Sequence, residues 1–211
     1  IGITVHSDAV EVVGCAGHWP VREAELFLGN AGTAMRSLTA ALAFAGGRYK
    51  LDGVARMRER PIGDLVDALN ALGARVQYAG QTGYPPLQIE PVQALVSSTV
   101  SVRGDVSSQF LSGLLMAAPA VAPEAGLTLE VAGPLISKPY VQMTLATMQV
   151  FGVTVEARAD GRAFVVPRAT FTAPGTYRVE GDASAASYFL ALGAIAGGPV
   201  RVEGAGRASV Q

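Results

Sequence analysis

Hydroxyl, amide and guanidinium groups recur in this chain just where helices should begin, and such groups at a helix start suit the binding of anions. The loop Leu28-Gly-Asn-Ala-Gly-Thr33 feeds the first helical run. Its glycines allow a close backbone approach that a Cβ would block, and Thr33 can cap exposed amides. Free N–H groups and the positive helix end make this turn a potential anion site. It lacks the lysine of a Walker loop and does not read G-x-G-x-x-G, so nucleotide binding is not indicated. A tight strand-to-helix turn accounts for the same residues. Ser107-Ser-Gln109 opens another helix with two hydroxyls and an amide; it can cradle a phosphate or act simply as an N-cap with a spare serine. Ser137-Lys-Pro-Tyr140 is the matching element one helix later, with the same two readings. Arg56, Arg58 and Arg60 alternate before Pro61, which favours an extended Arg60. In an extended run all three would point one way, forming a guanidinium fork for a carboxylate or phosphate. A solvated basic edge beside Glu59 is the plainer reading.

Other reactive residue types carry weaker signals. His6 and His18 sit in no catalytic pattern. Asp105 and Asp182 precede helices and read as caps, with proton transfer as an alternative. Cys15 lies in an apolar, glycine-flanked run and reads as a structural residue of a strand. One cysteine excludes an internal disulfide framework, and with two histidines it leaves too few soft ligands for a structural zinc site. A reducing cytoplasm fits this usage best. Sixteen basic residues against seventeen acidic ones give a net charge of −1, so no global field draws nucleic acid or an anionic membrane. The mean hydropathy of +0.34 raises the question of a membrane span. The weakly polar stretches 110–123 and 188–200 are shorter than the roughly 18–20 residues a span needs, and both contain Gly and Pro.

The elements that must hold these groups follow an internal repeat of about 75 residues. Helix-like runs meet a glycine and then an alternating strand at Gly73 and Gly152, and Gly2 opens a similar strand. Thr33, Ser108 and Ala185 begin a second family of helices. After Thr33, the residues Met35, Leu38, Leu42 and Ala45 keep helical spacing up to Gly46-Gly47. Pro61 stands where a first helical residue should, followed by an Ile62, Leu65, Val66, Leu69 and Leu72 stripe and a Gly73 cap. Phe110, Leu111, Leu114, Leu115 and Ala118 repeat the first pattern; Pro139, Val141, Leu145 and Met148 repeat the second. The pattern predicts an α/β fold whose unit is helix, strand, helix, strand, strand. Both ends look cut: Ile1 replaces a starting Met inside a strand-like run, and 201–203 begins a strand that leads nowhere. Residues 166–174 read as a linker, with a domain crossing near residue 178.

Four motifs occur in an order that resembles the 5-enolpyruvylshikimate-3-phosphate synthase family. They are Leu26-Phe-Leu-Gly-Asn-Ala-Gly-Thr-Ala-Met-Arg36, Arg58-Glu-Arg-Pro-Ile-Gly63, Val106-Ser-Ser-Gln-Phe110 and Ser137-Lys-Pro-Tyr140, and the stretch from Gly181 to Phe189 extends the likeness. The resemblance implies repeated βαβαββ units around a pseudo-threefold axis, an inside-out α/β barrel. It implies transfer of the enolpyruvyl group of phosphoenolpyruvate to the 5-hydroxyl of shikimate 3-phosphate, in the shikimate pathway to aromatic amino acids. No metal or other cofactor is implied, nor a nucleic-acid or membrane partner; a cytoplasmic monomer is.

By motif, Asn30, Gly32, Arg60 and Gln109 would contact phosphoenolpyruvate, with Thr33 and Arg36 supporting the loop. Ser107, Ser108, Gln109, Ser137 and Tyr140 would contact shikimate 3-phosphate. The family's main acid and base residues have no counterpart in the sequence, so it names no catalytic residue and predicts an inactive fragment. Residues 1–177 would form most of one domain, its first repeat truncated, and 178–211 the start of a second. Two rivals remain: an enolpyruvyl transferase acting on UDP-N-acetylglucosamine, whose loop cysteine is unmatched here, and a non-catalytic anion-binding module.

Overall fold

The computed structural model describes residues 2–15, 17–92, 94–206 and 209–211. Strands β1 (Gly2–Val5) and β2 (Val10–Val13) pair as an antiparallel hairpin. A first unit follows, made of β3 (Glu23–Phe27), α1 (Gly32–Leu42), β4 (Arg48–Asp52), α2 (Gly63–Ala71), β5 (Arg75–Tyr78) and β6 (Leu87–Glu90). A second repeats it with β7 (Thr99–Arg103), α3 (Ser108–Ala117), β8 (Leu127–Ala132), α4 (Lys138–Val150), β9 (Glu156–Ala157) and β10 (Ala163–Val166). Helix α5 (Ala183–Ala196) comes last.

The sheets have the same construction. One runs β3-β4-β6-β5 and the other β7-β8-β10-β9. In each, the first two strands are parallel and are joined by a helix, and the other two are added antiparallel. This is the βαβαββ unit that the family resemblance implies, and it contains the helix, strand, helix, strand, strand order read from the repeat. Parallel neighbours need a long crossover, which the helix provides, whereas the last two strands can be joined by a short turn.

Alternation explains why one face of each sheet is buried: Tyr49 and Leu51 on β4 point inward, as do Leu127, Leu129 and Val131 on β8. The core against them comprises Met35 and Leu42 of α1, Leu65 and Leu69 of α2, and Phe110, Leu111 and Leu115 of α3. Helices α1 and α3 pack closely at Gly113, where a Cβ would lie 3.5 Å from the Arg36 carbonyl and 3.6 Å from the Ala40 methyl. Helices α2 and α4 end identically. Gly73 and Gly152 have φ of 104° and 83°, and the following residues, Ala74 and Val153, donate back to Leu69 and Met148 at 3.0 and 2.9 Å. This is the Schellman pattern that needs a left-handed residue.

Several expectations require correction. Pro61 is outside α2: Ile62 is the non-helical residue before it, with φ −139° and ψ 1°, and the helix begins at Gly63. The strand expected at 153–155 forms instead at Glu156–Ala157, because Val153 closes the helix cap. Cys15 lies after β2, outside any strand. No strand forms at 201–203. The irregular stretch begins at Pro167, after β10, and is tied down as Ala169 and Thr172 donate to the carbonyls of Pro119 and Phe151 at 3.1 and 2.8 Å. The third set of repeat signals falls on the β1–β2 hairpin and α5, and neither joins a four-stranded sheet.

Candidate functional site

The site is built where α1 and α3 begin side by side. Strand β3 leads into the loop through Gly29, at φ 56°, and the Leu28 N–H donates to the Asp52 carbonyl at 2.8 Å. Helix α1 starts at Gly32, with Ala31 before it and no side-chain cap. Thr33 therefore does not cap the helix, contrary to the sequence reading. Its hydroxyl instead accepts from Gln109 Nε2 at 3.2 Å. Asn30 is exposed, and its carbonyl accepts from the Gly32 N–H at 3.0 Å.

Gly32 is buried against two guanidinium groups. A Cβ there would lie 2.5 Å from Arg60 Nη1 and 3.1 Å from Arg36 Nη1. A side chain here would push these guanidinium groups back from the helix start. The three alternating arginines do not point one way. Met57–Glu59 forms a single 3-10 turn, which spaces side chains about 120° apart instead of alternating them. Arg56 pairs with Glu59, and Arg58 takes both oxygens of Asp52 at 2.6 and 3.0 Å. Arg60, extended at φ −92° and ψ 120°, turns toward Gly32.

Arg36 sits behind this pair. Its Nη1 donates to Gln109 Oε1 at 2.5 Å, and its Nη2 donates to the Pro61 carbonyl at 3.2 Å. Its guanidinium carbon lies 5.4 Å from the centre of the Phe110 ring. Its Nε is buried and has no partner among the described residues. Burial, and then the charge of Arg60, lower its pKa from the ordinary arginine range, though an arginine remains a cation at neutral pH.

Ser107 is the N-cap of α3, its Oγ accepting from the Gln109 N–H at 3.3 Å. The hydroxyl-bearing Ser108 is buried at the first helical position. Asp105 is not a cap. Its carboxylate holds Arg103 through two contacts of 3.0 and 2.9 Å, which lower its pKa below the usual carboxylate range. Asp182 does cap its helix, accepting from Ser184 and Ala185 at 2.9 and 3.2 Å. Ser137 precedes α4 in the left-handed region, φ 54° and ψ 39°, and its hydroxyl makes no cap bond. Such a conformation at a non-glycine residue is uncommon.

Thr33, Ser108, Gln109 and Tyr140 line one cleft of about 560 Å³ between α1, α3 and α4. Tyr140 also borders a neighbouring cavity of about 900 Å³ that reaches the first turn of α5. The structure thus brings Gly32, Thr33, Arg36, Arg60, Ser108 and Gln109 together, with Tyr140 across the cleft. Asn30, Gly32, Arg36, Arg60, Ser107 and Ser137 do not line the cleft itself; Gly32 and Arg60 meet beside it, next to Thr33. Ser37, Ser112 and Thr144 do line it, and the last two share a 2.8 Å hydroxyl contact. Spacing offered a clue to these two, since each lies four residues beyond a predicted site residue on the same helix, and i, i+4 positions share a face. Nothing local could pair Arg36 with Gln109, 73 residues apart.

Among the described residues there is no cluster of three or more His, Cys, Asp or Glu able to hold a metal ion. No described helix is long and apolar enough to cross a membrane.

Comparison with known proteins gives a consistent result. The family described as EPSP synthase (3-phosphoshikimate 1-carboxyvinyltransferase) matches residues 2–211. The chain is 59% identical, over 98% of its length, to a 3-phosphoshikimate 1-carboxyvinyltransferase of Laribacter hongkongensis, covering 47% of that protein. It is 55% identical over its whole length to the enzyme of the same name from Ralstonia pickettii, covering 49% of it. An EPSP synthase structure from Acinetobacter baumannii superimposes with a TM-score of 0.71 at 26% identity, over 90% of this chain and 41% of that one. The chain spans about half the length of the curated relatives it matches.

Proposed function

The chain belongs to the EPSP synthase family, and from that premise we propose that its protein transfers the enolpyruvyl group of phosphoenolpyruvate to shikimate 3-phosphate. In that reaction the 5-hydroxyl gives up its proton to a base and adds to C2 of phosphoenolpyruvate, while the methylene carbon takes a proton from an acid. The tetrahedral adduct then loses a methyl proton and inorganic phosphate, which restores the carbon–carbon double bond, now as an enol ether. The inside-out α/β architecture of the relatives fits the two βαβαββ units seen here.

One observation carries the reading: Arg60, Gly32, Gln109 and Thr33 converge at the adjoining starts of α1 and α3, where free N–H groups and positive helix ends favour anions. Arg60 and the Gly32 backbone would hold phosphoenolpyruvate beside Asn30, with Arg36 supporting the loop. Ser107, Ser108 and Ser137 would hold shikimate 3-phosphate, Tyr140 would lie against its ring, and Gln109 would reach both. Guanidinium for a carboxylate or phosphate, and hydroxyls at a helix start for a phosphate, are the matches their chemistry favours.

The acid and base groups come from the rest of the protein, and the 211-residue chain alone is inactive. Residues 1–177 form most of one domain, and 178–211 begin the other. We place the whole protein in the cytoplasm as a monomer with no nucleic-acid or membrane partner. The test is phosphate release by the full-length protein. Release with phosphoenolpyruvate and shikimate 3-phosphate is expected, and Arg60→Lys should raise KM for phosphoenolpyruvate about tenfold or more by losing the fork. No release with this pair, or release only with UDP-N-acetylglucosamine, would overturn the assignment.

A further inference from the structure

Arg36, Gln109 and Thr33 form a chain whose polarity is fixed by chemistry. Arginine has no acceptor, so the atom of Gln109 facing Arg36 Nη1 must be the amide oxygen. That forces the amide nitrogen toward Thr33, whose hydroxyl oxygen accepts at 3.2 Å. Each acceptor is thereby used from behind, while a second Gln109 N–H and the Thr33 O–H have no acceptor among the described residues. Both residues line the cleft and Arg36 does not. The Arg36 head is anchored on the far side by the Pro61 carbonyl and lies over Phe110.

We propose that Arg36 is a positioning residue that locks the Gln109 amide in one orientation and makes Gln109 and Thr33 donors toward the cleft, so that the site accepts anionic or carbonyl oxygens and disfavours donors. A free glutamine amide presents an oxygen as readily as an N–H, because its two ends are nearly the same in shape. Here the cation behind it removes that ambiguity and polarises both links in the same sense. Pro61 adds a second consequence. Arg36 bonds the carbonyl immediately after Arg60, so one side chain ties the Arg60 segment to α3 and couples the two halves of the site.

This inference rests on the substrate assignment above for the identity of the anion, but not for the relay itself. It is tested in the full-length protein with Arg36→Met, which keeps an apolar stem over Phe110, with Gln109→Ala, and with the double variant. If Arg36 acts through Gln109, each single change raises KM for phosphoenolpyruvate by about tenfold, more than it lowers kcat, and the double variant falls well short of the two penalties combined, the remainder being the loss of the Pro61 anchor. Arg36→Lys, which can still donate to Oε1, restores part of the loss. Gln109→Glu gives a sharper reading: its carboxylate pairs with Arg36 and accepts from Thr33, so the protein stays as heat-stable as wild type yet loses both donors and binds as poorly as Gln109→Ala.

The same set is read in the calorimetric affinity for inorganic phosphate, which requires no turnover and separates the two claims. Absent turnover by wild type with coupled phosphate affinities would defeat the substrate assignment alone. Penalties of Arg36→Met and Gln109→Ala that simply add, in KM and in phosphate affinity, would overturn the relay, as would a Gln109→Glu variant that binds phosphate like wild type.

Discussion

The two βαβαββ units share strand order, period and the glycine that ends the second helix, yet those second helices differ in burial. Helix α2 presents Leu65, Val66, Ala68 and Leu69 to the interior, whereas α4 buries only Val141 and Met148 although it is longer. The reason is the neighbour. Helix α2 packs against α3 and against β7 of the following unit, while α4 packs chiefly on α3. The amphipathic pattern gives each helix an apolar stripe, but whether it is buried depends on the next unit's sheet. The starts of the first helices differ too: α3 is capped by Ser107, and α1 has no side-chain cap but has two guanidinium groups around Gly32.

The largest consequence of that difference concerns stability. Leu69→Ala in α2 should cost about 2–5 kcal/mol by transfer and cavity formation, while Leu145→Ala in α4 should cost about 1 kcal/mol or less. Urea unfolding midpoints compare the two, and equal losses would show α4 to be as well covered as α2. Next in size is the cap. Ser107→Ala should destabilise by about 1 kcal/mol, whereas Ala31→Gly, at the equivalent position of α1, should change little by loss of a cap.

The smallest effect separates two ion pairs near the site. Arg58 above all, with the Gly53 N–H, holds the Asp52 carboxyl below its ordinary range, and Arg103 does the same for Asp105. A depressed folded pKa contributes stability above the unfolded value, near 3.9, that is lost as pH falls through the folded one. Asp52→Asn should therefore lower the melting temperature by about one or two degrees near neutrality, with the gap to wild type closing in acid. Asp105→Asn should show less, since its carboxylate is more exposed than that of Asp52.

Much of this was legible in the sequence because it is local. The Ile62-to-Leu72 stripe, the Gly73 and Gly152 caps and the Ser107 N-cap are all short-range signals, and each produced its element. The misreadings came from competition at short range. The alternation of Arg56, Arg58 and Arg60 was overridden by a 3-10 turn and by two nearby carboxylates, and Asp105 found Arg103 before it could cap α3. What could not be read was long-range: the contacts of Arg36 with Gln109 and of Gly32 with Arg60 depend on α1, α3 and the Pro61 loop meeting in space.

The central claim is that the adjoining starts of α1 and α3 cradle the two anionic substrates. A crystal structure of the full-length protein with shikimate 3-phosphate and phosphoenolpyruvate tests it most directly. The account predicts the shikimate phosphate within hydrogen-bond distance of Ser107 or Ser108, and phosphoenolpyruvate on Arg60 and the Gly32 backbone. Both ligands bound elsewhere, with Arg60 and Ser108 unengaged, would contradict it.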